Sequence, residues 1–253
     1  MAGTIAVTGK GGVGKTAVAA LMVRALVEAE QTPVLAVDAD PNLNLDAALG
    51  VKVEETVGDM REDGVGRTEA LPGGMTKPEF LRLQIQQALV EAEGFDLLAM
   101  GRPEGPGCYC FANSILRACV DQIGKQYRYI LMDCEAGLEH LSRRTAGDVD
   151  VLVLLSDPSM RGIETVTRVV ELARGLDTKI GQTVFAFTRL TSDLPDGLLA
   201  AARDRGLPDP AFIPEDPQVR ELDMLGKPLV AVADGSPAYE AVKRVLRQIG
   251  LVG

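Results

Sequence analysis

Aromatic residues are scarce in this chain of 253 residues: they make up 4% of it, and tryptophan is absent. A surface that stacks single-stranded nucleic acid depends on such rings, so the scarcity argues against one. Long apolar runs are also lacking, since runs such as Val151–Leu155 fall far short of a membrane span. No charged and apolar leader precedes the glycine cluster near the start of the sequence. We therefore expect a soluble, cytoplasmic protein without a membrane-spanning segment.

Basic residues are the minority among the charges: 26 Lys and Arg stand against 36 Asp and Glu, a formal net charge of −10. Such a chain is a poor candidate for coating DNA or an anionic membrane. We therefore expect no nucleic-acid partner and no stable membrane binding. The C-terminal helical pattern is basic and amphipathic, which could bind a membrane surface, but such a helix more often packs on its own sheet.

Cysteines are too few to staple a chain of this length. The sequence has four, Cys108, Cys110, Cys119 and Cys134, of which three fall within twelve residues. This usage is typical of a reducing compartment with one metal or redox site. The single histidine, His140, is interpreted as an ordinary surface or core residue.

Short apolar runs alternate with helical patterns along the chain. The runs that predict strands are Thr4–Thr8, Pro33–Val37, Asp96–Met100, Tyr129–Met132, Val149–Leu155 and Val184–Phe187. The helical patterns are Lys15–Glu28, Lys77–Glu91, Ser114–Lys125, Glu139–Ala146, Met160–Gly175, Asp196–Arg205 and Ser236–Ile249. Continuous apolar strands between helices predict an α/β fold, in which a mainly parallel sheet is covered by helices on both faces. We assign residues 1–253 to one domain. The glycine-rich stretch Val51–Thr76 is either a functional segment or a surface excursion without a role.

The first predicted strand leads into the glycine loop Gly9–Thr16, G-K-G-G-V-G-K-T, and then into a helix. Its glycines satisfy the dinucleotide pattern G-x-G-x-x-G, and Asp38 follows at the end of the second strand. The same loop satisfies the P-loop pattern G-x-x-x-x-G-K-[ST]. Lys15 and Thr16 favour the second interpretation, because a triphosphate needs a cation at its β and γ groups and a hydroxyl for Mg²⁺. We expect the phosphates along Gly9, Lys10, Gly11, Gly12, Val13, Gly14, Lys15, Thr16 and Ala17.

The segment K-G-G-V-G-K-T resembles the deviant P-loop of the MinD, ParA and nitrogenase-iron-protein ATPases. The resemblance implies a homodimer in which Lys10 reaches the nucleotide bound by the partner subunit. It also implies that Asp40, in D-A-D-P-N, positions the attacking water, and that Asp38 supports the Mg²⁺ site. Asp133 and Gly137, in M-D-C-E-A-G, would be the Mg²⁺-proximal carboxylate and the γ-phosphate contact.

Two later segments are expected to surround the base of the nucleotide. Members of this family often carry Asn-Lys or Asn-Arg after a later strand, where this chain has Thr188 and Arg189. The segment Phe212–Val219 resembles the family loop that packs beside adenine, and no N-K-x-D motif for guanine is present. The resemblance therefore favours ATP, with contacts from Pro214, Glu215, Asp216 and Val219.

The pair Cys108 and Cys110 lies in a glycine-rich loop, residues 105–113. If that segment is extended, spacing i, i+2 places both side chains on one face. Two thiolates make half of a four-sulfur metal site, which a symmetric dimer would complete. The alternative is a pair of small buried hydrophobic residues. Cys119 and Cys134 are interpreted as core positions.

Five segments taken together narrow the resemblance to the CooC family, the nickel-handling maturation ATPases of carbon monoxide dehydrogenase. They are G-K-G-G-V-G-K-T, D-A-D-P-N, G-P-G-C-Y-C, D-C-E-A-G-L-E-H and S-D-P-S-M-R-G-I-E-T. This resemblance implies an ATP-hydrolysing metallochaperone that holds Ni²⁺ at Cys108 and Cys110 and serves a nickel-iron-sulfur client, carbon monoxide dehydrogenase. Sulfur ligands suit Zn²⁺ as well. Two alternatives stay open: a positioning ATPase of the MinD/ParA type and an ATP-dependent iron–sulfur reductase.

Overall fold

Eight strands form one sheet within the residues that the computed structural model describes, which are 2–60, 74–102, 109–135, 148–175, 179–191 and 194–253. The strands are β1 Gly3–Gly9, β2 Val34–Asp38, β3 Leu89–Glu91, β4 Phe95–Ala99, β5 Tyr129–Asp133, β6 Val149–Ser156, β7 Ile180–Leu190 and β8 Ala211–Pro214. The helices are α1 Lys15–Glu28, α2 Leu45–Leu49, α3 Lys77–Ala88, α4 Tyr109–Ile123, α5 Met160–Gly175, α6 Asp196–Asp204, α7 Pro217–Met224 and α8 Pro237–Gln248.

The strand order is β3-β4-β2-β5-β1-β6-β7-β8, and every neighbouring pair is parallel except β3 with β4. Because parallel strands end at the same edge, the residues that follow β1, β2 and β5 meet there. Asp38 and Asp133 are paired in the register of β2 with β5. The fold thus places two acidic strand ends beside the glycine loop.

Both faces of the sheet are buried, as continuous apolar strands predict. Within β1, Ile5 and Val7 face a core shared with α1, α2 and α8, whereas Ala6 faces a core shared with α3, α4, α5 and α6. Helices therefore cover both sides. The predicted α/β fold with a mainly parallel sheet is confirmed.

Two predicted helix boundaries differ from the structure. The helix predicted over Lys77–Glu91 ends at Ala88, and Leu89–Glu91 forms a strand that pairs antiparallel with β4 across a turn at Gly94, whose φ is 82°. The helix predicted from Ser114 begins at Tyr109, and its buried residues recur at helical spacing from Ala112 onward. The helix predicted over Glu139–Ala146 lies outside the described residues.

Besides β3, three further elements were absent from the sequence-based expectation: α2, β8 and α7. The start of α7 has a recognisable signal, because Asp216 accepts a hydrogen bond from the Gln218 N–H and Pro217 stands at the first helical position. In the stretch Val51–Thr76, a short 3₁₀ turn spans Val57–Asp59, and residues 61–73 lie outside the described part. Val57 and Met60 are buried in the core with α3 and α4, so this part of the stretch contributes to packing.

The C-terminal helix α8 packs against α1. Tyr239 is fully buried, and its hydroxyl donates to Glu28 Oε2 at 2.6 Å. Arg24 of α1 lies over the Tyr239 ring at 4.2 Å and donates to the carbonyl oxygens of Val230 and Val232. The apolar face of α8 is therefore part of the core, as the sequence favoured. Among the described residues, no helix has the length and apolar character that crossing a membrane requires.

Candidate nucleotide-binding site

A cavity of about 780 Å³ opens at the carboxyl edge of the sheet, which is the size of a small-molecule site. One wall is the glycine loop with the start of α1, and the opposite wall runs from the end of β7 to α8. Most of the predicted nucleotide residues line it: Gly11, Gly12, Val13, Gly14, Lys15, Thr16, Ala17, Asp40, Asp133, Thr188, Arg189, Pro214, Glu215, Asp216 and Val219.

The glycine loop has a backbone that other residues would strain. Gly14 precedes α1 with φ 88°, in the left-handed region. At Gly9, an added Cβ would lie 2.1 Å from the Leu155 carbonyl oxygen, so only glycine lets the end of β1 pass this close to β6. The loop then delivers the N-terminus of α1 to the cavity, where its unpaired N–H groups and dipole favour phosphate.

Lys15 lies at the start of α1 and its side chain turns back over the loop. Its Nζ is 3.4 Å from the Lys10 carbonyl oxygen, which holds the ammonium against the glycine backbone. A cation in this position can neutralise charge on the β and γ phosphates of a triphosphate.

Thr16 and Asp133 form the part of the site that fits Mg²⁺. Thr16 Oγ1 donates to Asp133 Oδ2 at 2.6 Å, which leaves the lone pairs of the hydroxyl available to a cation. Asp133 Oδ1 is buried and has no hydrogen-bond partner within the described part of the chain. The pKa of Asp133 is raised to about 7, chiefly by burial. The hydrogen bond from Thr16 lowers this pKa, and the negative charge of Asp38 raises it. A buried carboxylate with an unpartnered oxygen beside a second acid is a fitting environment for a divalent cation.

Asp38 organises the loop that follows β2. Its Oδ1 accepts from the Asp40 N–H, and its Oδ2 accepts from the N–H groups of Asn44 and Leu45, each at 3.0 Å. Burial raises its pKa to about 6, while these three backbone hydrogen bonds act in the opposite direction. Asp38 therefore holds residues 39–45 in place at the cavity, next to the Asp133 carboxylate.

Asp40 reaches the cavity from this loop, in the place predicted for the residue that orients water. Its Oδ1 accepts from both the backbone N–H and the side-chain amide of Asn42, at 2.8 and 3.1 Å. Asp40 lines the same cavity as Lys15 and Thr16.

The base side of the cavity contains two predicted residues whose polar groups have structural partners. The Thr188 hydroxyl donates to the Val13 carbonyl oxygen at 2.7 Å, so it fixes the glycine loop. Asp216 accepts from the Gln218 N–H, the Ser236 hydroxyl and the Ala238 N–H, which joins α7 to the start of α8. Arg189 has a φ of 57°, an uncommon conformation for a non-glycine residue.

Several lining residues escaped sequence reasoning. They come from α2 and its approach, namely Leu43, Asn44, Ala47 and Ala48, and from α7 and the following turn, namely Arg220, Asp223, Gly226 and Lys227. The Asp-Pro helix start at residues 216 and 217 could have located the second group. For the first group, the only signal in the sequence is the short apolar pattern N-L-N-L-D-A-A-L at residues 42–49.

Gly9 and Lys10 lie outside the cavity lining. Gly9 supports the loop from the end of β1, and the Lys10 Nζ lies 3.2 Å from Asp157 Oδ2, beyond the end of β6. Lys10 therefore has a partner within its own chain. Its predicted contact with a partner subunit stays a prediction.

The predicted cysteine site is only partly within the described structure, since Cys108 lies outside it. Cys110 lies in the first turn of α4, where the backbone is helical and not extended. Gly137, predicted to contact the γ-phosphate, and His140 also lie outside the described residues. Cys119 and Cys134 are buried, as predicted for core positions. Burial raises the pKa of the Cys119 thiol to about 12 and raises that of Cys134 as well, so neither is a thiolate at neutral pH.

The first strand of the parallel sheet runs through a glycine loop into a helix that begins with Lys-Thr, beside an acidic strand end. This arrangement defines a P-loop nucleoside triphosphatase. A family model described as an AAA domain matches residues 2–183. The chain belongs to this family, in the group of ParA- and MinD-like proteins, and it is an ATPase.

Three similar proteins illustrate the relationship. An ATP-binding protein of Methanocaldococcus jannaschii is 41% identical over 97% of this chain and 97% of its own length. The carbon monoxide dehydrogenase accessory protein CooC of Rhodospirillum rubrum is 36% identical over 69% of this chain and 70% of its own length. The structure of the septum site-determining protein MinD from Pyrococcus horikoshii, complexed with Mg-ADP, has a TM-score of 0.72 at 27% identity and covers 99% of this chain and 96% of that one.

Proposed function

We propose that this ATPase is a metallochaperone that binds nickel at Cys108 and Cys110 and assists its insertion into carbon monoxide dehydrogenase. The observation that carries the proposal is the 36% identity to a carbon monoxide dehydrogenase accessory protein over 69% of the chain. The presence of Cys108 and Cys110 two positions apart in the sequence supports it, because soft thiolate ligands suit Ni²⁺ and Zn²⁺.

The proposed site requires two subunits. One chain supplies two thiolates, and a two-fold symmetric contact presents the same pair twice, which completes a four-sulfur site. Lys10 would reach the nucleotide of the partner subunit across the same interface. Residues 9–12 and 40–43 lie at one edge of the sheet, and exposed Gly11, Gly12 and Leu43 leave this edge open to a second copy.

ATP would control the metal through this dimer. The glycine loop and Lys15 bind the phosphates, Thr16 and Asp133 hold Mg²⁺, Asp38 supports that site through the loop it organises, and Asp40 orients water. Gly137 would contact the γ-phosphate. Such control requires the ATP-bound and ADP-bound dimers to differ in metal affinity.

Nickel and zinc titrations of the full chain, with and without ATP, test the proposal when the oligomeric state is followed by light scattering. We expect about one metal ion per dimer, because two subunits share one four-sulfur site. The double variant Cys108→Ala/Cys110→Ala should lose this binding, whereas Cys119→Ala, which removes a buried thiol, should keep it. Metal binding that persists in the double variant would refute the site.

A second candidate function is that of a positioning ATPase. The fold similarity to MinD at a TM-score of 0.72 and 27% identity favours it. Co-sedimentation with anionic vesicles and with DNA at physiological salt separates the two functions. Strong binding there, without retained metal, would favour the positioning role, and an iron–sulfur absorption band lost in the double cysteine variant would favour a reductase.

A further inference from the structure

A second cavity, of about 720 Å³ and open to solvent, lies against α7 and the end of β7. We call it the outer groove. The residues that line it include Leu190, Pro217, Glu221, Met224 and Leu225. Two further lining residues, Glu215 and Arg220, also line the nucleotide cavity, so α7 is a wall that the two cavities share.

Helix α7 has apolar side chains on two opposite sides. Val219 and Leu222 pack against the core that contains α1 and α8. At 3.6 residues per turn, Pro217, Met224 and Leu225 project from the opposite side, into the outer groove. Met224 is 77% exposed and Leu225 is 58% exposed, which makes them the two most exposed large apolar side chains in the described part of the chain. A surface helix normally carries polar residues on its outer side, so the fold alone does not account for these two.

Nucleotide binding does not account for them either. Met224 and Leu225 line the outer groove but not the nucleotide cavity, so a nucleotide in that cavity would leave them exposed. An exposed apolar patch with a polar rim is typical of a surface that another molecule covers. Methionine is common at such surfaces because its flexible, polarisable side chain adapts to the shape of a ligand. The outer groove is therefore a candidate docking surface.

The charge at the rim of the outer groove is negative. Arg220 Nη1 lies 3.7 Å from Glu215 Oε1, so these two charges offset each other. The exposed carboxylate of Glu221 forms no hydrogen bond or ion pair with another described residue. The whole chain also has a net charge of −10. A ligand that complements this rim carries positive charge beside its apolar groups.

This charge separates a protein segment from two other occupants of the groove. An anionic membrane surface would be repelled by Glu221 and by the net charge of the chain. A second copy docked through the same groove would bring its own Glu221 close to the first, because a two-fold contact pairs identical surfaces and juxtaposed like charges are costly. A basic segment of another protein meets neither obstacle.

We propose that the outer groove binds an apolar segment of a partner protein in which lysine or arginine stands beside the apolar side chains. The apolar side chains of the segment pack against Met224 and Leu225, and its positive charge pairs with Glu221. An apolar centre with a polar rim is the usual arrangement of a protein interface. The groove is formed without Cys108 and Cys110, so the inference holds whether or not these residues bind a metal.

Selection of short random peptides displayed on phage tests the proposal. The full chain is the bait, and the double variant Met224→Gln/Leu225→Gln is the counter-bait, which removes peptides that bind elsewhere on the protein. We expect the recovered peptides to combine apolar residues with Lys or Arg. Their affinity, measured by fluorescence anisotropy, should fall by about 30-fold or more in the double variant, because the central anchors of an interface carry most of its binding energy.

Two single variants separate the charge of the groove from its apolar surface. Glu221→Gln should weaken peptide binding by about two- to fivefold at low salt and by less at high salt, as for an exposed ion pair. Leu172→Gln is the matched control and should bind like the wild type, because Leu172 is a 55% exposed leucine of α5 that lies outside the groove. Thermal unfolding of the double variant should match that of the wild type, because both replaced side chains are exposed.

Four results would overturn the inference. If no recovered peptide prefers the wild type to the double variant, the groove does not bind a protein segment. Recovered peptides without Lys or Arg would contradict the predicted charge of the partner. Binding of the wild type to anionic vesicles that the double variant loses would assign the groove to a membrane. Self-association of the wild type in light scattering that the double variant loses would assign it to a second copy.

Discussion

The Lys10 ammonium and the Asp157 carboxylate form an ion pair within one chain, with Nζ and Oδ2 3.2 Å apart. Asp157 is itself held by the Ser159 hydroxyl, which donates to its Oδ1 at 2.9 Å. The Lys10 side chain that is proposed to act on the partner subunit therefore has a competing site on its own subunit. In the proposed dimer, Lys10 would exchange its contact with Asp157 for one with the nucleotide of the partner subunit.

Replacement of Asp157 by Asn should strengthen ATP-dependent dimerisation. The side chains of Lys10 and Asp157 are 38% and 35% exposed, and such pairs contribute about 1 kcal/mol or less. A symmetric dimer breaks two such pairs, one in each subunit, so removing them should lower the dimer dissociation constant by about 30-fold at most. Sedimentation equilibrium with ATP measures it. Asp209→Asn removes a charge from another exposed pair and should have no effect, and weaker dimerisation of Asp157→Asn would show that Asp157 acts in the dimer instead.

Replacement of Thr16 by Ala should weaken Mg²⁺ binding by about 10- to 100-fold, because the hydroxyl both faces the cation site and bonds Asp133 at 2.6 Å. The measurement is the Mg²⁺ dependence of ATP hydrolysis. Thr16→Ser retains the hydroxyl and should behave like the wild type. Equal Mg²⁺ dependence of Thr16→Ala and wild type would exclude Thr16 from the metal site.

Replacement of Thr188 by Val should lower stability without changing the choice of base. Valine has nearly the shape of threonine but leaves the Val13 carbonyl oxygen without this donor, which costs about 1–3 kcal/mol in the free energy of unfolding. Urea unfolding measures this cost, and Thr188→Ser is the control. The ratio of ATP to GTP affinity should be unchanged; a large fall in that ratio would mean that the hydroxyl contacts the base.

Replacement of Asp216 by Asn should make stability less dependent on pH in the acid range. Burial acts to raise the pKa of Asp216, but hydrogen bonds from Ser236, Ala238 and Gln218 outweigh it and hold the pKa below its usual value. A carboxylate whose pKa is lower in the folded than in the unfolded state stabilises the fold at pH values above its ordinary pKa of about 3.9. This contribution is lost as the pH falls from that value through the lower pKa of the folded state.

Urea unfolding at neutral pH and near pH 3 tests this prediction. At neutral pH, Asp216→Asn should be less stable than the wild type by about 1–3 kcal/mol, because hydrogen bonds to a charged acceptor are lost. Near about pH 3 the difference should shrink, because below its ordinary pKa of about 3.9 the carboxyl group takes up a proton more readily in the unfolded chain than in the folded protein. Asp121→Asn changes a carboxylate that is 65% exposed and should leave the pH dependence intact. A difference that does not vary with pH would contradict the assignment.

Sequence reasoning succeeded where a local pattern alone determines the structure. Apolar runs such as Val149–Leu155 became buried strands, and Lys15 and Thr16 came to the cavity because a strand, a glycine loop and a helix follow one another directly. It failed where a distant partner decides. Leu89–Glu91 continues a helical pattern but pairs with β4. The hydrogen bond from the Thr188 hydroxyl to a carbonyl oxygen 175 positions away leaves no local signal in the sequence either, whereas Thr188 does line the cavity as expected.

The two walls of the nucleotide cavity come from opposite ends of the chain. Residues 11–48, with Asp133, form the phosphate side, and residues 188–238 form the base side, which Arg24 and Tyr239 fasten to α1. In the proposed function, the residues for hydrolysis and those for nucleotide preference consequently lie in separate stretches of the sequence. Substitutions between β7 and α8 would then alter which nucleoside triphosphate the protein accepts while the groups proposed to cleave it stay untouched, so the two properties could change independently.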